Sequence, residues 1–175
     1  IIEAVLMALN VPPQINFNDF GFRNWNNFQP MMWNRIKSEA QGKIRSSPLM
    51  ISGSDIDSNA VALAKSAFKK LRLGRDVQIK QASFEDLIPK SRTGMIITNP
   101  PYGERIGEDV EVLYKNLGDT FKNNFSGYDA WVLSSNVAAL KQLHLKPTEK
   151  ISLYNGPLEV QFCKYELYEG SKIEE

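Results

Sequence analysis

A doubly wound α/β sheet that closes on an antiparallel hairpin is the fold class this 175-residue sequence predicts. Two observations carry it. Short apolar runs suited to strands alternate with longer stretches of helical period from residue 49 to residue 143, the pattern of parallel strands joined by crossover helices. The chain then finishes on two apolar runs flanking Asn155-Gly156-Pro157, a hairpin signal.

The elements follow in order. Ile1 to Leu9 has helical period, with Ile2, Val5, Leu6 and Leu9 on one face, and Pro12-Pro13 ends it. No capping residue precedes Ile1, so the helix is expected to begin upstream. Residues 16–29 carry Phe17, Phe20, Phe22, Trp25 and Phe28 without helical or strand period. An aromatic-packed surface loop is the simpler reading; a lid over a ligand or a platform for a base is the sharper one. Pro30 starts a helix to Gly42, with Trp33, Ile36 and Ala40 expected inward, and a basic connection with Lys43 and Arg45 follows.

Leu49 to Ser54 reads as a strand. A helix from Asn59 to Leu73 presents Val61, Ala64, Phe68 and Leu71 on one stripe, with Asp57 or Ser58 as its cap and Gly74 as its stop. Val77 to Ala82 is the next strand, followed by the loop Ser83-Phe84-Glu85-Asp86. Met95 to Thr98 is apolar throughout and is expected to be a buried strand. Val110 to Asn124 repeats Leu113, Leu117 and Phe121 at helical spacing. Asp129 to Ser134 is a strand, and Asn136 caps a short helix to Leu143. Lys150 to Tyr154 and Leu158 to Tyr168 form the hairpin, the second strand alternating around Val160, Phe162 and Tyr165. Residues 170–175 are a polar tail.

Composition bounds the function. The apolar and charged fractions, 42% and 23%, belong to an ordinary globular domain, and 175 residues suit one domain with a single core. No apolar run is long enough to span a membrane and no signal peptide is visible. The lone cysteine, Cys163, excludes an internal disulfide, which fits a reducing, cytoplasmic setting. His144 and Cys163 together make no zinc or iron constellation, so no metal site is expected.

The chemistry concentrates at Asn99-Pro100-Pro101-Tyr102. The strand before it stops abruptly, because neither proline can donate to a sheet ladder. The carbonyls of Asn99 and Pro100 are left as acceptors beside the Asn99 carboxamide and a flat aromatic, Tyr102. That set suits a planar substrate with an exocyclic amine. The amine's N–H groups donate to the Asn99 side-chain oxygen and the Pro100 carbonyl, and Tyr102 stacks on the ring. The nitrogen lone pair is then drawn out of conjugation and aimed at an electrophile, so catalysis is orientation and electrostatics. A proline-rich turn with no further role is the simpler alternative.

Asn99-Pro100-Pro101-Tyr102 resembles the (Asn/Asp/Ser)-Pro-Pro-(Tyr/Phe/Trp) motif of S-adenosylmethionine-dependent amino-methyltransferases. The longer string through Gly103-Glu104-Arg105-Ile106-Gly107 resembles a narrower branch, the bacterial guanine-N2 methyltransferases of large-subunit ribosomal RNA. The likeness extends over nearly the whole chain, including Phe20-Gly21-Phe22-Arg23-Asn24-Trp25 and Tyr154-Asn155-Gly156-Pro157-Leu158-Glu159.

The resemblance implies a Rossmann-like class I methyltransferase sheet of order 3-2-1-4-5-7-6, S-adenosylmethionine as cofactor, ribosomal RNA as partner and an RNA-binding THUMP domain upstream. Asp55, after a parallel strand, becomes the candidate for the ribose hydroxyls, with Ile56 against adenine; for Asp57 the simpler role of helix cap remains. Ser83 stands where the family usually has Asp to accept from the adenine amine. Ser83 still offers an acceptor without charge, or Glu85 or Asp86 substitutes, and Phe84 would contact the ring. Asn99, Pro100, Pro101 and Tyr102 are the catalytic candidates, Asn99 also touching the cofactor. Tyr102, Gly103, Glu104 and Arg105 are the substrate candidates, Glu104 and Arg105 reading the base edge and an RNA phosphate; a surface ion pair is their simpler reading.

Against that frame one piece is missing. The Leu49–Ser54 run is the second strand, and the first strand with its glycine-rich loop is not found. Residues 1–175 are therefore expected to be a partial methyltransferase domain continuing upstream, weak or inactive by themselves. A net charge of +1 is low for a chain gripping phosphates alone, so other parts of the full protein are expected to supply that grip. Two rival functions stay open: an adenine-N6 amino-methyltransferase of DNA or RNA, which the four-residue motif permits, and a non-catalytic RNA-binding scaffold, which the absent glycine loop and Ser83 permit.

Overall fold

A computed structural model describes residues 1–46, 50–71, 77–103 and 109–169. Where the sequence leads one to expect a single core, the chain divides into two compact units, residues 1–82 and 83–175.

The first unit holds α1 (Ile2–Leu9), α2 (Pro30–Gly42), β1 (Ile51–Asp55), α3 (Ser58–Leu71) and β2 (Val77–Gln81). Strands β1 and β2 pair in parallel, from Ile51 opposite Val77 to Asp55 opposite Gln81. Helix α1 buries Val5 and Leu6, and α3 buries Val61 and Phe68, the stripes that the helical period marks. Helix α2 departs from expectation, with Ile36 47% exposed and none of its residues fully buried. Trp33, Lys37 and Ala40 are partly buried, Trp33 against Phe20 and Phe22, whose ring centroids lie 5.5 and 5.0 Å away. These two rings stack on each other, and Phe17 and Phe28 join them. The aromatic loop thus packs on itself and on α2. Leu49 and Gly74, expected at element ends, lie outside the described residues, as does the 170–175 tail.

The second unit holds β3 (Gly94–Thr98), α4 (Val110–Asn124), β4 (Tyr128–Ser134), α5 (Val137–Gln142), β5 (Glu149–Asn155) and β6 (Leu158–Glu166). Its sheet has the order β3-β4-β6-β5, with β3 and β4 parallel and β6 antiparallel to both neighbours. Gly156 and Pro157 form the two-residue turn between β5 and β6. These pairings match the 4-5-7-6 side of the expected order, and β1-β2 matches its 2-3 side. Among the described residues, no strand pairs with the second edge of β1 or of β3.

Tyr114, Leu117 and Phe121 of α4, Ala139, Leu140 and Leu143 of α5 and its end, Ala130 and Val132 of β4, and Cys163 and Tyr165 of β6 form the core. Helix α4 lies close to the turn after α5 because residue 118 is glycine: a Cβ there would fall on the Leu143 carbonyl. Two expectations need correction here. Met95 and Ile97 are 61% and 62% exposed, so β3 is not buried on both faces. Only Ile96 reaches the core. In β6, Tyr165 shares its inward face with Cys163, opposite Val132 and Ala130 of β4; Val160 and Phe162 point to the other face, where Phe162 stacks on Trp131 at 4.6 Å. Both faces of β6 carry apolar cover, which a single alternating pattern misses.

Candidate functional site

In the first unit, the carboxyl end of β1 presents an ordered carboxylate. Asp55 is exposed, and its Oδ1 accepts from the Asp57 N–H at 2.9 Å, an Asx turn that fixes the carboxylate direction. Asp57 Oδ1 accepts from the Asn59 N–H at 2.8 Å, so Asp57 caps α3 and Ser58 is its first helical residue. Ile56 is 72% exposed, while its carbonyl accepts from Gln81 Nε2 at 3.0 Å. An apolar side chain held outward beside an oriented carboxylate suits the sugar and ring of a nucleoside.

In the second unit, Ser83 opens a 3-10 turn, Phe84–Asp86, and its Oγ accepts from the Glu85 N–H at 3.4 Å. Phe84 is partly buried against the core, so packing already claims part of its ring. Glu85 accepts from Asn116 Nδ2 on α4 at 2.9 Å, which ties its carboxylate to the helix. The Ser83 hydroxyl and the exposed Asp86 are the acceptors less committed to α4.

The Asn99–Tyr102 segment leaves β3 at the end of its parallel pairing with β4. Asn99 and Pro101 are exposed, and Pro100 and Tyr102 are partly buried. The Tyr102 hydroxyl donates to Asn99 Oδ1 at 2.6 Å. The two side chains that the sequence assigns to one substrate are therefore coupled. A carboxamide oxygen has two lone pairs, so this bond orients the Asn99 amide and leaves one acceptor position for a substrate N–H. Gly103 follows with φ +91°, a left-handed conformation that favours glycine, and a Cβ there would press on Val110 Cγ2 at 2.7 Å. Glu104 and Arg105 lie outside the described residues.

Behind the segment runs a polar chain that sequence reasoning does not find. Asn136 Nδ2 donates to the Tyr102 carbonyl at 3.0 Å, and the Asn136 N–H donates to Ser134 Oγ at 3.1 Å. Ser134 Oγ lies 2.7 Å from the Tyr114 hydroxyl, both residues being fully buried. Burial pushes the Tyr114 phenol above its ordinary value, with the Ser134 bond pulling the other way, so it stays protonated at neutral pH. The available signal was a polar residue two places beyond the end of a strand; the sequence shows its role as a helix cap and hides its second partner. Of the two chemistry-poor residues, Cys163 is buried in the core and His144 is exposed. A groove of about 510 Å³ lies between α1 and α2, lined by residues such as Met7, Val11 and Ile36, and no candidate site residue takes part in it. Among the described residues, no helix is long and apolar enough to cross a membrane.

Comparison with known proteins places this geometry. Residues 1–164 match the family described as UPF0020, RMKL-like, methyltransferase domain. The ribosomal RNA large subunit methyltransferase K/L of Shewanella sp. (strain W3-18-1) is 36% identical over 177 residues, 98% of this chain and 25% of its own length. The protein of the same name from Shewanella frigidimarina (strain NCIMB 400) is 36% identical over 178 residues, with the same coverage. The chain therefore spans about a quarter of the curated relatives it matches. A solved protein assigned as a methyltransferase and complexed with S-adenosylhomocysteine superposes at TM-score 0.88 with 29% identity, over 97% of this chain and 45% of its own. A predicted N6-adenine-specific DNA methylase from Listeria monocytogenes str. 4b F2365 superposes at 0.84 with 28% identity, over 95% and 43%. With that match over residues 1–164, the chain belongs to the RMKL-like methyltransferase-domain family.

Proposed function

We propose that these residues are the larger part of a domain that uses S-adenosylmethionine to methylate the N2 amine of a guanine in large-subunit ribosomal RNA. The observation that carries the reading is the Asn99 carboxamide at the end of a parallel strand, oriented by the Tyr102 hydroxyl at 2.6 Å. The names of the curated relatives support ribosomal RNA as substrate, and the solved neighbour with S-adenosylhomocysteine supports the cofactor.

When bound, S-adenosylmethionine supplies an electrophilic methyl group. The chain's own residues do the rest. Asn99 Oδ1 and the Pro100 carbonyl accept hydrogen bonds from the two amine N–H groups and turn the nitrogen lone pair toward that methyl. Tyr102 presents its ring to an unpaired or flipped base. With both acceptors engaged, the amine nitrogen would be the group left facing the methyl, and the proton it sheds would pass to water, to which Asn99 is exposed. Pro101 holds Pro100 extended so that its carbonyl stays outward. Asp55 takes the ribose hydroxyls and Ile56 lies on the adenine. Ser83 accepts from the adenine amine in place of a carboxylate, beside the outer edge of Phe84. Gly103, Glu104 and Arg105 face the RNA. The first strand and glycine loop, together with a THUMP domain upstream, come from chain outside residues 1–175, and the whole protein works in the cytoplasm.

The test is methylation of ribosomal RNA lacking the modification by the full-length protein, with digestion to nucleosides. N2-methylguanosine is the expected product. The name of the Listeria neighbour favours a second reading, adenine N6; methyladenosine as sole product decides for it. No transfer to any base by a protein that binds the cofactor decides for a scaffold.

A further inference from the structure

We infer that Asn136 is a positioning residue for methyl transfer, holding the Asn99–Tyr102 segment to the core through the Tyr102 carbonyl. The inference rests on reading that segment as the holder of the substrate amine.

Asn136 commits every polar group it has. Its carbonyl accepts from the Leu140 N–H at 3.1 Å, and its Oδ1 accepts from the Ala139 N–H at 2.9 Å, the bonds of an ordinary helix cap. A cap needs nothing more. Yet its N–H also donates to Ser134 Oγ, and its Nδ2 donates to the Tyr102 carbonyl at 3.0 Å. Capping fixes the carboxamide plane and aims the NH2 group outward. Ser134 fixes the backbone from the other side, and the fully buried Tyr114 hydroxyl anchors Ser134. Such a network is rigid because each member is satisfied inside the protein.

The segment needs an external anchor. Pro100 and Pro101 have no N–H to offer, so they cannot pin it by donating. The Tyr102 carbonyl is the acceptor that Asn136 takes, and the other end of Tyr102 holds Asn99 Oδ1. A continuous path thus runs from Tyr114 in the core, through Ser134 and Asn136, to the main chain of Tyr102 and on to the acceptor that meets the substrate. Release of the Tyr102 carbonyl displaces ring and acceptor together, while Asp55 on the first unit keeps its own hydrogen bonds.

Two variants of the full-length protein separate capping from positioning. Asn136→Asp keeps a capping oxygen and removes the donor to Tyr102. Asn136→Ser caps as well and is too short to reach it. Amide hydrogen exchange is followed in the peptide holding Tyr102 and Gly103 and in the peptide holding α5, beside single-turnover methylation and cofactor titration. The expected result is about tenfold faster exchange at Tyr102–Gly103, with α5 near wild type. The methylation rate is expected to fall about ten- to a hundredfold, as a shift of about 1 Å in a positioned group can do, with cofactor affinity retained. Unchanged exchange at Tyr102–Gly103 in both variants, wild-type rates in both, or loss of protection in α5 equal to that of the segment overturns the assignment. A wild-type protein that methylates no guanine sinks the functional reading instead, and the exchange measurement then decides the Asn136 contact by itself.

Discussion

At the scale of residues, the coupling of Asn99 and Tyr102 sharpens what substitutions should do. Asn99→Ala removes a preorganised acceptor and is expected to cost on the order of a hundredfold in single-turnover rate, with modest loss of cofactor affinity. Tyr102→Phe keeps the ring and loses the bond that orients Asn99, a loss of about 1 kcal/mol or a few-fold in rate. Tyr102→Ala also loses base stacking, worth about 1–3 kcal/mol, and should be severe. A turn that only shapes the backbone predicts a different order: Pro101→Ala worst, Asn99→Ala and Tyr102→Ala near wild type. At the other unit, Asp55→Ala and Asp57→Ala make a matched pair, since each removes one local hydrogen bond of similar length. Asp55→Ala is expected to weaken cofactor binding more, because charge-assisted bonds to hydroxyls contribute about 1.5–3 kcal/mol and a cap about 1. Equal affinities at matched folding would count against Asp55. The four residues of the motif are legible in the chain because their chemistry is adjacent in sequence. Their partners are not: Asn136 is far from Tyr102 in sequence, and only the fold brings its carboxamide to that carbonyl.

At the scale of elements, periodicity reads what is local and fails where a neighbour decides. Helix α4 runs Val110–Asn124 as read from spacing, and the hairpin turns at Gly156-Pro157, inside the Asn155-Gly156-Pro157 signal, with Asn155 still paired in β5. Met95 and Ile97 look buried because apolar runs do, but a strand's second face is buried only if another element covers it. Tyr114 hid inside the α4 pattern because counting aliphatic and phenylalanine positions passes over an inward phenol. Two predictions belong here. Gly118→Ala gains about 1 kcal/mol of helix propensity. It also drives a methyl into the Leu143 backbone, for which overpacking costs of about 1–3 kcal/mol or more apply. The net expectation is a lower urea midpoint, with α4 and α5 forced apart. The second concerns alkaline pH. Burial raises the phenols of both Tyr114 and Tyr165. A folded state that holds a proton more tightly than the unfolded chain is fully stable below the ordinary tyrosine value and loses that advantage as pH climbs past it. Stability should therefore fall above about pH 10, by up to about 1.4 kcal/mol per pH unit for each phenol. Tyr165→Phe should flatten that fall in denaturant titrations from pH 9 to 11; an unchanged slope removes Tyr165 as a cause.

At the scale of the whole molecule, the two sheets carry the largest consequence. Strand β1 is hydrogen-bonded on one side by β2, and β3 on one side by β4. In the 3-2-1-4-5-7-6 order that the resemblance implies, the first strand is the neighbour expected at each of these edges. That strand would bring the glycine-rich loop expected to let the backbone approach the cofactor. Order within each half is legible because each closes its own ladders, and no run in the 175 residues reads as that first strand. Unpaired edges also template pairing with other chains. Residues 1–175 alone are therefore expected to bind S-adenosylmethionine weakly or not at all, and to self-associate as concentration rises. Isothermal titration and light scattering on this piece check both. The longer protein, with the additional strand and loop, should bind in the micromolar range and scatter as a discrete species. Micromolar binding by the 175 residues alone would show that Asp55, Ile56 and the Asn99 segment complete the cofactor site without the loop, and the partial-domain reading would fall with it.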